Sequence, residues 1–219
     1  MSATWPWLAL VGLGAFHGLN PAMGWLFAVA RGLQSRSRGV VLRSMMPIAA
    51  GHAVSVAAVV AATAVLRAFI DFTTLQIGSA VGLIAFGLYR LFARHRGRVG
   101  MQVGGRQLLL WSCLMATAHG AGLMLIPVLL RMPSAAPYHG EHAHAAGIAS
   151  LVVSMGSSTG TALTVIGIHT LAMLATAGMV AIVVYEWVGL AFLRRGWVNF
   201  DLLWVLALIG AGTVLLIAI

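Results

Sequence analysis

Four histidines stand inside apolar stretches of this chain: His17 in "GAFHGLN", His52 in "AAGHAVSV", His119 in "TAHGAG" and His169 in "GIHTLA". Charged groups at membrane depth cost about 2.5 to 3.5 kcal/mol on insertion scales, so ionisable side chains there face a bundle interior and mark a pathway. Neutral imidazole is also the commonest ligand of transition metals. Four such rings converging would hold or pass copper, zinc, nickel or cobalt. The same rings can relay protons, and any one of them alone can serve as a hydrogen-bonding group between helices.

Neighbouring residues extend this set. Met115 precedes His119 by four residues and Met173 follows His169 by four, so each pair shares a helix face. With Met23, these thioethers would favour copper(I), although methionine is equally an ordinary apolar filler. Pro21 removes a backbone donor and Gly18 and Gly24 let the chain bend, so the first span is expected to break just after His17. The freed carbonyls would face a substrate, and Asn20 would add a neutral ligand or cap the second half-helix. A further tract, "YHGEHAHAAG", places His139, Glu141, His142 and His144 within six residues as a collector of metal ions on the outer side. Glu186 is a candidate proton-coupling carboxylate or an ion-pair partner of a cytoplasmic arginine.

Holding these residues at depth requires a lipid-spanning scaffold, and the composition fits one. Of 219 residues, 61% are hydrophobic and 8% charged, with a mean hydropathy of +0.99. A soluble core has too few charges here to cover its outside. The net charge of +9 comes from arginine alone. Arg31, Arg36, Arg38 and Arg43 form one cluster, Arg90 to Arg106 a second, and Arg194 with Arg195 a third. This is the distribution of cytoplasmic loops rather than of a nucleic-acid surface. The apolar stretch before Arg31 lacks the basic start of a cleavable signal and reads as a first span. Trp5, Trp7, Trp187, Trp197 and Trp204 read as interfacial anchors. Cys113 is the single cysteine, which excludes an internal disulfide.

Apolar runs between the clusters predict six spans, near 5–30, 45–69, 74–93, 108–130, 160–193 and 198–219. Arginine clusters inside put both termini outside the cytoplasm, in a bacterial inner membrane. The segment 147–160 reads as an interfacial or re-entrant piece. "AFHGL" at 15–19 is answered by "TAHGA" at 117–121, and "GHAVSV" by the stretch from His169. Three crossings separate the copies, which makes the repeat inverted. The expected fold is therefore all-α and polytopic, a single transmembrane domain over 1–219. Repeat 1 runs over 5–93, an arginine-rich loop over 94–107, and repeat 2 over 108–219, with an outer loop at 131–159.

On "HGLNPAM" at 17–23 and "GHAVSV" at 51–56, this layout resembles the superfamily that joins lysine exporters, nickel/cobalt permeases and the urease-accessory type of nickel transporter. The resemblance implies two inverted halves and a transported cation. Those permeases carry an aspartate and a second histidine shortly after the first, where this chain has Asn20, Ala22 and Met23, so only His17 and His52 carry over as ligands. The opening "HGLNPAMGWLFAVA" also resembles chains labelled arginine/ornithine antiporters, which implies a cationic amino acid as the alternative substrate. The expected function is a transition-metal transporter. The alternatives are that antiporter and a membrane-embedded metalloenzyme or accessory subunit. Neither a nucleotide-binding motif nor a nucleophile triad is present to argue for ATP coupling or hydrolysis. Expected partners are the cation, the lipid bilayer and a second copy of the chain; small residues such as "GSAVGLIAFG" at 78–87 suit helix packing within one bundle or between two.

Overall fold

A computed structural model describes residues 4–92, 104–131, 147–188 and 200–219. These residues are helical throughout, with no strand among them. The helices are α1 (Trp5–Leu19), α2 (Trp25–Ser35), α3 (Arg38–Phe69), α4 (Phe72–Phe92), α5 (Gly105–Ala118), α6 (Ile126–Arg131), α7 (Gly147–Val183) and α8 (Phe200–Ile217). Among the described residues, α3, α4 and α7 are long and apolar enough to cross a membrane. Counted as one span across a 51° bend, α5 and α6 make a fourth. At 15 and 18 residues, α1 and α8 are shorter apolar helices.

Local sequence explains where the helices stop. Pro21 cannot continue α1 without clashing with the preceding turn, and it instead opens a single 3-10 turn, Pro21–Met23. Asn20 caps that turn: its Oδ1 accepts the Ala22 N–H at 2.9 Å. Gly24 then takes φ +113°, a backbone state that suits glycine, and α2 begins. The fourth expected span is broken as well. It ends at Ala118, passes Gly120 at φ +69°, makes a 3-10 turn at Leu123–Leu125 and resumes as α6. The segment 147–160, expected as an interfacial or re-entrant piece, is continuous in backbone with α7, whose apolar candidate span begins at Thr159. Its backbone is the first part of α7, a 37-residue helix, since no proline interrupts it and a helix propagates cheaply once begun. A π-helical turn, Val184–Val188, closes α7.

Three helix pairs carry the packing: α1 against α7, α3 against α5, and α4 against α8, with α3 and α7 crossing between them. Each pair closes on glycine. Gly14 and Gly18 of α1 lie on the His169 and Met173 carbonyls of α7, and Gly51 of α3 lies on the Leu109 carbonyl of α5. Gly87 of α4 meets Leu208 and Ile209, while Gly212 of α8 meets Ala80, Leu83 and Ile84. Polar side chains join the same seams: Ser112 Oγ donates to the Ile48 carbonyl at 2.8 Å, Ser55 and Thr117 hydroxyls bond at 2.9 Å, and Gln76 Nε2 donates to the Leu215 carbonyl at 2.9 Å. Small residues and hydrogen bonds are what hold helices together where lipid removes the hydrophobic drive between them.

Candidate functional site

The backbone breaks and the glycine contacts put the deep histidines at the centre of the bundle. His17 is three residues before the α1 break, and its Nδ1 hydrogen-bonds the Leu13 carbonyl one turn back, at 2.7 Å. His52 follows Gly51 on α3, and His169 lies on α7 with Nδ1 at 3.3 Å from the Leu10 carbonyl of α1. All three are fully buried. Their rings form a triangle with centroids 5.5 Å (His17–His52), 4.9 Å (His17–His169) and 5.3 Å (His52–His169) apart. His17 stands edge-on to the other two, which stack on each other at an interplanar angle of 17°.

Ring nitrogens in this triangle lack partners. His17 Nε2, both nitrogens of His52, and His169 Nε2 are buried with no hydrogen bond, and so are Asn20 Nδ2 and Thr170 Oγ1 nearby in sequence. Buried polar atoms are paired in the great majority of cases, so several orphans in one place require an explanation. Among the described residues, no group of three or more His, Cys, Asp or Glu forms a ready-made metal cage. The stacked rings explain this physically, because parallel planes do not aim their in-plane lone pairs at a common point. Gathering the nitrogens onto one ion requires the rings to turn.

His119 is also buried, and it repeats the local geometry of His17: its Nδ1 bonds the Met115 carbonyl one turn back at 2.8 Å, and its helix ends at the preceding residue. It is joined to the triangle through Trp204. That indole stands edge-on to His17 at 4.2 Å and to His119 at 5.9 Å, stacks on Phe16 at 5.1 Å, and donates its Nε1–H to the His119 carbonyl. Trp204 is therefore buried in the site, not an interfacial anchor, whereas Trp187 is exposed. Two other tryptophans act alike. Trp25 Nε1 donates to the Leu19 carbonyl at 3.4 Å and Trp111 Nε1 to the Ala22 carbonyl at 3.2 Å. The His17 carbonyl accepts the Asn20 N–H at 3.1 Å. Of the carbonyls around His17 and Gly18 expected to face a substrate, that of His17 thus accepts a backbone donor, as a break in an apolar setting requires.

The remaining candidates are distributed elsewhere. Met23 and Met173 are fully buried, and Met173 packs in an apolar cluster with Trp25, Ile48 and Ala177. Met115 is half-buried and offers its carbonyl to His119. Glu186 lies in the π turn and pairs with Arg38, Oε1 to Nη1 at 3.3 Å. Seventeen helical residues separate it from His169, about 25 Å along the axis. His139, Glu141, His142 and His144 lie outside the described residues. Phe16, Trp204, Trp111 and Thr170 were not legible as site residues, since an aromatic or threonine in an apolar helix carries no positional signal of its own.

No family model, curated protein or solved structure matches this chain. The described residues define an all-helical protein with helices long and apolar enough to cross a membrane and a buried histidine triangle beside two helix breaks.

Proposed function

We propose that this chain is an integral membrane transporter for a transition-metal cation, in which His17, His52 and His169 form the transient binding site. The observation that carries the reading is the triangle itself, with its four unpartnered ring nitrogens. Imidazoles bound tetrahedrally at metal–nitrogen distances of about 2.0 to 2.1 Å have ring centroids about 5 Å apart. The three observed separations are of that size, and the rings would turn to aim their nitrogens at one ion. Neutral imidazoles leave the cation's charge uncompensated, which favours passage over retention. Of the acids with described side chains, Asp71 is exposed and Glu186 is paired at the surface, so the site offers little to the ammonium or guanidinium of a cationic amino acid.

An inverted repeat of six crossings fits the same reading. Exchanging the halves turns the α1·α7 pair into α5·α3 and leaves α4·α8 and α3·α7 as they are, and these four pairs are observed, whereas the α2·α3 packing has no comparable α6·α7 image among the described residues. The half-helices after His17 and His119 supply the broken spans that transporters place at such an interface. Complete burial of the triangle favours a second reading, a membrane subunit that keeps its metal.

The test is equilibrium dialysis of the purified full chain against cobalt, nickel, zinc and copper, with elemental analysis, followed by uptake into proteoliposomes. One ion per chain with saturable uptake, and a His52→Ala variant at least tenfold weaker in both, is the expected result. Binding without uptake assigns the retaining subunit. No binding of any of the four metals overturns both readings.

A further inference from the structure

Resting on that reading, we infer that the chain holds a second, alternative cation site, His119 with His52 and His169, and that transport exchanges His17 for His119 as the third ligand of a fixed pair. His17 and His119 are matched in part. Each bonds its Nδ1 to the carbonyl four residues back, and each stands at the end of a helix that gives way to a 3-10 turn and a second half-helix; the left-handed glycine comes after the turn in the first case, at Gly24, and before it in the second, at Gly120. His52 and His169 are matched in turn, on the two helices that cross at the centre. The α4 and α8 seam shows the same exchange: Gly87 packs on Leu208, and Gly212 packs on Leu83.

A two-fold operation that swaps the halves therefore swaps His52 with His169, and His17 with His119. The stacked His52–His169 pair, 5.3 Å apart, lies where that axis passes. The triangle with His17 is one of two arrangements the symmetry allows. Its image is a triangle of the same pair with His119, the ligand chemistry being the same three neutral imidazoles for a borderline divalent cation. The described conformation seats His17 in the triangle, and His119 reaches it through Trp204. Trp204 breaks the symmetry: the Leu83–Leu208 and Gly87–Gly212 matches set its first-repeat counterpart at Ser79, a far smaller side chain. A bulky indole latched to the His119 carbonyl on one side, with serine on the other, biases the protein towards the His17 arrangement. Exchange of one ligand against a retained pair moves the ion's open face from one side of the membrane to the other, as alternating access requires.

The experiment uses cobalt(II) with full-length protein and the variants His17→Ala, His119→Ala and His17→Ala/His119→Ala. Cobalt uptake into proteoliposomes is measured beside one-site binding in detergent and the rate at which a maleimide modifies Cys113. That thiol lies on α5, beside Gly51 of α3, and is half-buried, so reseating of α5 changes its exposure. Each single variant is expected to bind one cobalt and to lose uptake at least tenfold, while the double variant loses binding. With cobalt bound, the two single variants are expected to shift the Cys113 rate in opposite directions from wild type, by threefold or more. A merely structural role for His119 moves the rate the same way with and without cobalt. Wild-type uptake left intact by His119→Ala overturns the exchange while leaving the transporter reading standing. Absent wild-type binding and uptake overturn the transporter reading itself.

Discussion

Glycine positions in this chain divide sharply by what a methyl group would meet. At Gly18 an added Cβ runs into the Met173 carbonyl and at Gly51 into the Leu109 carbonyl, both backbone atoms that cannot swing aside. At Gly82 nothing lies within 4 Å. Gly18→Ala and Gly51→Ala are expected to destabilise the fold by about 1 to 3 kcal/mol, as overpacking does. Gly82→Ala is expected to stabilise it by about 0.5 to 1 kcal/mol through helix propensity. Thermal unfolding in a common detergent separates the two classes, and equal effects would mean the α1·α7 and α3·α5 seams are looser than described. Trp204 gives the companion prediction. Trp204→Phe keeps an aromatic ring, smaller than the indole, and deletes the Nε1–H that the His119 carbonyl accepts; the unpaired buried acceptor costs about 1 to 3 kcal/mol and the void left in the site adds to that. The histidines were legible at this scale because imidazole in an apolar run is costly and therefore visible. Their partner Trp204 was not, since tryptophan is as much at home in a buried core as at a membrane surface.

Between residue and bundle, the helix breaks decide the site, and the two breaks were unequally legible. Pro21 declares the first, because a ring nitrogen without a hydrogen cannot extend α1. The second is marked more weakly: "HGAGLML" bends through Gly120, and its proline, Pro127, stands only in the first turn of α6, beyond the bend. At φ +69° there the chain turns, and α6 leaves α5 at an angle of 51°. Gly120→Ala is accordingly expected to cost about 1 to 2 kcal/mol from left-handed backbone alone. The Phe86 ring and the Leu123 methyl already crowd that position at 3.0 and 3.3 Å. If the break serves cation binding, cobalt affinity falls in this variant along with stability. A loss of stability with unchanged affinity would make the break a packing device. The length of α7 was hidden for a different reason: glycines and serines at 147–160 lower local helix propensity, and nucleation from the apolar part overrides them.

At the scale of the molecule, orientation is an expectation drawn from charge, while the pairing of helices follows from contacts that no periodicity reveals. Arginine clusters and apolar lengths made the all-helical membrane class legible, whereas the α1·α7 and α3·α5 pairing depends on glycine contacts more than thirty residues apart in sequence. The crossing helix that tests the whole arrangement is α3. Its 32 residues rise about 48 Å, enough to span about 30 Å of hydrocarbon with both ends clear. Ser35 is exposed beside the turn at Arg36, and Thr73 is exposed at the start of α4, where the Asp71 carboxylate caps the helix by accepting the Thr74 N–H. Hydrogen bonds from that turn hold the Asp71 carboxyl below the usual carboxylate range, so the cap persists down to acidic pH and is lost only on protonation at still lower pH. In a Cys113→Ser background, Ser35→Cys is expected to react with an impermeant maleimide only once the cytoplasmic face is opened, and Thr73→Cys to react in intact cells. The reverse pattern would mean that the arginines do not set the orientation. Reaction of both from one side would mean that α3 does not cross, and with it would fall the inverted halves, because a two-fold axis in the membrane plane needs α3 and α7 to traverse it in opposite directions.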